Sequence, residues 1–190
     1  LMALDRHAEA VDYLNRAMAL KDENNDPLSE IFCTATAGIT YMGVDTISTR
    51  AESAFRRACR VAERSGLSNY WLYPQAIGRL ADIYLQQGKY EESISLCREA
   101  IRLCEKSGSY HGKLVVAEIL TEAYRLLGLY DEAFRYCAVG TGEPARAEVD
   151  NNLIGRFFIA KAEIHNNLNR PDSALLVLAQ ADSCFDRTKN

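Results

Sequence analysis

No run of about 18 apolar residues occurs anywhere in the 190-residue sequence, so no segment of it is suited to cross a membrane as a helix. Basic excess is also missing: 22 Lys and Arg stand against 26 Asp and Glu, a formal net charge of −4. A general binder of phosphate backbones needs clustered Lys and Arg, so nucleic acid is excluded as an expected direct ligand. The six cysteines, Cys33, Cys59, Cys97, Cys104, Cys137 and Cys184, contain no C-x-x-C. Most fall at apolar helical positions, where a free thiol acts as a small hydrophobe, and scattered thiols favour a reducing compartment. The cytoplasm is favoured on this ground, without excluding the periplasm. Cys97 and Cys104 are separated by about 10 Å along one helix and cannot bridge each other.

Chemical motifs are scarce too. His7, His111 and His165 lie in three different helical units, with no H-E-x-x-H and no paired Cys ligands, so no metal and no cofactor is expected. Pairing Cys137 with His111 or His165 would make a nucleophile, but no third group stands ready to orient the base. These histidines are read as surface or core residues, and the chain is not expected to be an enzyme. Gly140 to Ala145 spells G-x-G-x-x-A, the form of a dinucleotide-binding loop, yet it follows an amphipathic helix where that loop must follow a strand. It is read as a helix-to-helix turn. No N-x-S/T acceptor for glycosylation occurs. Trp71, between Tyr70 and Tyr73, reads as part of an aromatic plug between helices.

What the sequence does contain is a repeat. The stretch from Ala76 to Ser107 holds a whole helix-turn-helix unit, and forty residues on its signals return: Tyr84 and Tyr124, Gly88 and Gly128, Tyr90 and Tyr130, Cys97 and Cys137. Self-similarity at a period of about 20–50 residues marks stacked repeats, because one hairpin cannot bury its apolar faces alone. Asp26-Pro27 starts a helix that carries Gly38 on its packing face and is expected to end at Gly43. Thr49 and Glu52 signal the start of the next. Ser65-Gly66 and Ser107-Gly108 close equivalent helices, each after a basic residue. In the last unit, Glu143-Pro144 opens a helix reaching about Asn167, with His165 at the tyrosine position and Asn169 at the glycine position. Pro171 opens the closing helix with Ala174, Leu178 and Ala181.

Leu80, Ala81, Tyr84, Gly88, Tyr90, Cys97 and Ala100 carry a close resemblance to the tetratricopeptide repeat family. The usual repeat there is about 34 residues, and one extra turn of about 3.6 residues per helix would absorb the longer period here. The resemblance implies an all-α, right-handed αα superhelix of about four helical hairpins plus an unpaired N-terminal helix. One domain over residues 1–190 is expected, with repeats near 1–22 (partial), 27–66, 72–108, 110–140 and 144–187. The partial first repeat, in which Ala10, Leu14 and Ala17 fit a second helix with no first, and the opening Leu1-Met2 without a basic-then-apolar leader, read as a fragment or processed piece of a longer protein.

The resemblance further implies a concave groove lined by the first helix of each repeat and filled by a peptide or protein segment. Carried over by position, the groove residues are Gln75, Gly78, Asp82, Leu85 and Gln86, then Val115, Glu118, Glu122, Arg125 and Leu126. In the divergent last unit they are Arg156, Ile159, Glu163, Asn166 and Asn167. The candidates singled out are Gln75, Asp82, Gln86, Glu118, Glu122, Arg125, Glu163 and Asn166. Asp82, Glu122 and Glu163 repeat one position and would make an acidic stripe suited to a basic segment; solvated faces of an acidic protein are the plain alternative. Asn166 offers donor and acceptor to a peptide backbone, and only one of Asn166 and Asn167 is expected to face the groove, since neighbours on a helix diverge by about 100°. Gly78 and Asp82 stand where chaperone-binding members hold a carboxylate clamp, which disfavours C-terminal carboxylates. Long repeats of this kind are similar to the input arrays of bacterial regulators and sensors. The expected function is therefore an interaction module of such a protein, serving a bound segment or neighbouring domains, with a stand-alone or self-associating scaffold as the alternative.

Overall fold

The computed structural model describes residues 9–14, 16, 17, 19, 26–44, 49–142 and 151–186. Among them there is no strand. Helix α1 comprises the described helical residues 9–14, 16, 17 and 19. It is followed by α2 (Pro27–Val44), α3 (Thr49–Arg64), α4 (Leu72–Gln86), α5 (Tyr90–Ser107), α6 (Tyr110–Leu126), α7 (Tyr130–Thr141), α8 (Asn151–Asn167) and α9 (Pro171–Asp186). The chain divides into two compact units, Leu1–Gly108 and Ser109–Asn190.

In the first unit α2 pairs with α3 and α4 with α5, and α4 packs on both α2 and α3. The Asp26 carboxylate starts α2 by accepting the Ser29 hydroxyl (2.5 Å) and the amides of Ser29 (3.1 Å) and Leu28 (3.2 Å), and these bonds, the hydroxyl's foremost, hold its pKa below the ordinary value. Along α3, Ala51, Phe55, Ala58 and Ala62 are buried. The Phe55 ring lies so near Gly38 that a Cβ there would sit 2.7 Å from it, so α2 needs a glycine at the crossing. Ala81, Cys97 and Ala100 are fully buried, and their small size lets α4 and α5 approach until the Ser93 hydroxyl donates to the Ala81 carbonyl at 2.7 Å. At the α3–α4 seam, Tyr73 donates to Glu63 (3.0 Å), and the Tyr84 hydroxyl meets Arg56 and Glu52.

Three turns share one geometry. Gly88 (φ 74°), Gly128 (φ 73°) and Asn169 (φ 55°) stand in the left-handed region after α4, α6 and α8. The amide that follows each reaches back to a carbonyl in the last turn of the helix: Lys89 to Tyr84, Leu129 to Tyr124 and Arg170 to His165, all at 2.9 Å. Asn serves in the third because its short polar side chain tolerates this conformation. Valine at Gly88 or Gly128 is expected to destabilise its unit by about 1–2 kcal/mol, since neither position is crowded and only the backbone conformation is penalised. Unaltered thermal melting of either variant would contradict the turn geometry.

In the second unit α6 pairs with α7, α8 packs on both, and α9 pairs with α8. Phe157 of α8 is fully buried among Leu114, Ala117, Cys137 and Leu153. A smaller cluster of Ala162, Ala174 and Val177, flanked by Phe158, joins α8 to α9.

Three expectations need correction. Gly140 does not belong to a loop: it lies inside α7, buried beneath the Phe157 ring, where its missing side chain makes room for α8. Gly43 lies within α2, which continues to Val44. Of the aromatic trio only Tyr73 is a plug, at 5% exposure, whereas Trp71 is 49% exposed. The expected helix start at Glu143-Pro144 lies outside the described residues.

Candidate functional site

On α4, Gln75, Arg79 and Gln86 are exposed and Asp82 is half-buried; their spacing of four, three and four residues places them on one face. Gly78 and Leu85 are buried instead, so they serve packing rather than an open surface. The candidate positions in the first unit therefore form a polar helix face carrying both an acid and a base.

The candidates in the second unit are tied together. The Arg125 guanidinium donates to both oxygens of Glu122, at 2.6 and 2.7 Å, and lies 3.2 Å from a Glu163 oxygen. Such a planar fork matches a carboxylate well, and it makes Arg125 hold its proton more tightly than usual. Glu118 is paired with Arg156 at 2.5 Å. The acids on α6 and α8 are thus compensated by cations within their own unit. Sequence reasoning placed these acids by position but did not weigh Arg125 and Arg156 as their partners; the signal was present, because Glu122 and Arg125 are one helical turn apart.

Beside this ion-pair cluster opens a cleft of about 560 Å³. Ile159 and Ala162 of α8 and Ala174, Leu175 and Leu178 of α9 form its apolar lining, and Arg125, Glu163, Asn166 and Asn167 its polar rim. Three of the eight candidates, Arg125, Glu163 and Asn166, therefore meet in one cavity. Both asparagines line it, because a cleft flanked by two helices spans a wider arc of α8 than a single groove face does. Helix α9 contributes although none of the candidates lies on it: Leu178 is 40% exposed and Leu175 is 66% exposed.

Cys137 and His165 each have a different partner. Burial pushes the Cys137 thiol up to about 11, and the thiol lies 3.1 Å from the Phe157 carbonyl oxygen, so it is protonated at neutral pH. His165 packs against Phe134, ring centroids 5.1 Å apart, with its Nδ1 buried and without a hydrogen-bond partner. Burial, Lys161 and Arg170 all lower its pKa. Folding therefore favours the neutral ring, while the unfolded chain takes up a proton below about pH 6.5. Stability is expected to fall as pH drops through that value, and His165→Tyr, which restores the residue found at Tyr84 and Tyr124, to flatten the dependence. Thermal melting of both proteins from about pH 8 to pH 5 measures the difference. Among the described residues no group of three His, Cys, Asp or Glu is placed to hold a metal ion, and no helix is long and apolar enough to cross a membrane.

Residues 73–136 match the model of the family described as tetratricopeptide repeat. Over these residues, from α4 into α7, the chain carries tetratricopeptide repeats. Such repeats generally mediate interactions between proteins. The fold is similar to that of BtubC (BKLC) from P. vanneervenii, with a TM-score of 0.76 and 15% identity, over 98% of this chain and 81% of that one. A putative kinesin light chain of Podosopora anserina with nearly identical TPR-like repeats is also similar, with a TM-score of 0.72 and 15% identity, over 99% of this chain and 91% of that one. At these identities the likeness speaks for the tetratricopeptide-like helical fold alone. Among curated proteins none matches the chain.

Proposed function

We propose that this tetratricopeptide-repeat chain is a binding module whose cleft between α8 and α9 holds a segment of another protein. The observation that carries this is the convergence of Arg125, Glu163 and Asn166, chosen by repeat position, on a cavity of about 560 Å³ with an apolar lining. Apolar walls with a few polar groups at the rim are the usual composition of a binding site, the walls supplying affinity and the rim orientation. The wider setting we propose is the input or interaction region of a larger bacterial regulatory or sensory protein, which rests on the forty-residue period. A reducing, cytoplasmic location agrees with free cysteines of which Cys59, Cys97, Cys104 and Cys137 are buried. The polar face of α4, with Gln75, Asp82 and Gln86, is a secondary contact surface for the same class of ligand.

Selection of a displayed random peptide library on the immobilised chain tests the cleft. Peptides are expected to be enriched and to lose binding to Asn166→Trp, which fills the rim from an exposed position. Absence of enrichment, or binding indifferent to Asn166→Trp, would remove the cleft from the account.

A further inference from the structure

A second cavity, of about 250 Å³, lies in the first unit between α3 and α5. Helix α4 packs on both of these helices and forms its floor, while α3 and α5 have no contact with each other among the described residues. The walls and the floor thus belong to three described helices. Burial sorts their side chains. Tyr73, Ile77 and Leu80 of α4 and Cys59 of α3 are buried and Leu96 of α5 is half-buried, which makes the interior mainly apolar. Arg56, Arg60 and Glu63 of α3 and Glu99 of α5 are exposed and form the rim. Arg56, Cys59, Arg60 and Glu63 fall at i, i+3, i+4 and i+7 and so share one face of α3. All four rim charges act on the Cys59 thiol and therefore stand close around it; burial, foremost, pushes that thiol up to about 12, so it stays protonated and belongs to the apolar interior.

Two of the rim charges are engaged. Arg56 donates to Glu52 at 2.9 Å and meets the Tyr84 hydroxyl, and Glu63 accepts from Tyr73 at 3.0 Å. Arg60 and Glu99 have no ion-pair partner among the described residues, and they line the cavity from opposite walls. The repeat does not impose the acid: where Cys97 recurs as Cys137, Val139 stands in place of Glu99. A rim with two cations and two acids selects neither an anion nor a cation; one open charge of each sign suits a molecule that carries both. The volume is below the usual range of about 300–1,000 Å³ for drug-sized ligands, so the occupant is small. We propose that this pocket binds a free α-amino acid with an apolar side chain, its carboxylate on Arg60, its ammonium on Glu99 and its side chain among Ile77, Leu80 and Leu96. The planar guanidinium fits a carboxylate with two parallel bonds. A ligand held in this way bridges α3 and α5, members of successive hairpins, and stabilises the first unit by mass action. None of these residues lines the cleft between α8 and α9.

Isothermal titration calorimetry of the whole chain with L-leucine and L-phenylalanine tests the pocket. Binding at millimolar concentration is expected, with glycine, which has both charges and no apolar group, at least about tenfold weaker. Arg60→Gln and Glu99→Gln should each weaken leucine binding by about fivefold, the upper worth of an exposed ion pair. Leucinamide lacks the carboxylate and N-acetyl-leucine the ammonium, so both should bind the wild type more weakly than leucine. Arg60→Gln should erase the difference between leucine and leucinamide but keep that between leucine and N-acetyl-leucine; Glu99→Gln should do the reverse. Arg64→Gln, which removes an exposed cation of the same helix outside the pocket, and Asn166→Trp should leave binding unchanged. Absence of binding by either amino acid overturns the proposal, as does binding that both Arg60→Gln and Glu99→Gln leave intact. Equal binding of leucine and its two derivatives would show an apolar hole indifferent to charge and overturns it too. If neither amino acid binds but library-selected peptides lose affinity with Arg60→Gln, the pocket belongs to a protein segment and the amino acid is excluded. Loss of leucine binding with Asn166→Trp would place the ligand in the cleft of the second unit instead.

Discussion

Phe157→Ala is expected to destabilise the second unit by about 3–5 kcal/mol, the range for removing a fully buried aromatic ring from a packed core. The ring is 0% exposed and lies among Leu114, Ala117, Cys137 and Leu153, so its loss leaves a cavity that three helices would have to close together. It also covers Gly140, whose absent side chain exists to admit it. Gly140→Leu alone should be similarly harmful, by overpacking. In the double variant the added leucine occupies part of the vacated space, so its loss should be less than the two single losses combined. Urea unfolding followed by far-ultraviolet circular dichroism measures all three. Additive losses would mean that α8 does not cross α7 at Gly140, and the seating of α8, with everything inferred from it, would have to be abandoned.

Gly140 also shows where the sequence was legible and where it was not. Turn glycines declare themselves, because Gly88, Gly108 and Gly128 follow amphipathic helices at a fixed period and only a few residue types tolerate positive φ. All three adopt it, with φ between 70° and 74°. A glycine inside a helix gives no such local sign, since its cause is a ring seventeen residues away in sequence that crosses above it. Helix pairing was likewise readable from Ala81, Cys97 and Ala100, small residues whose recurrence has no purpose unless another helix comes near. The candidate site was legible only by position. Repeat register located Glu122, Glu163 and Asn166, but the state of the carboxylates depended on Arg125, whose reach towards another helix is a property of packing. Leu175 was missed because an exposed leucine on an amphipathic helix looks, in a sequence, like any core residue. Its place appears only in the fold, where it lines the cleft beside Leu178.

Arg125→Glu should convert this compensated cluster into a repulsive one. The guanidinium now bonds both oxygens of Glu122 and approaches Glu163; the substitution would bring three carboxylates together at the cleft rim. Because Glu122 and Glu163 are 34% and 50% exposed, solvent screens much of the repulsion, and a loss of about 1–2 kcal/mol is expected at neutral pH. The sign of its pH dependence follows from linkage. Crowded carboxylates in the folded variant have pKa values above those of the unfolded chain, so folding binds protons and the deficit shrinks as pH falls through the raised values. Melting temperatures of wild type and variant should therefore converge on acidification, and should also approach each other in high salt. Ligand binding moves the opposite way: the freed charges should strengthen capture of a lysine-bearing peptide severalfold at neutral pH, an advantage lost in salt. Arg125→Gln, which removes the cation without adding an acid, should fall between the two on both measurements. A variant whose stability deficit is the same at every pH would show that Arg125 acts through packing of its stem, and the rim would then owe its chemistry to Asn166 and Asn167.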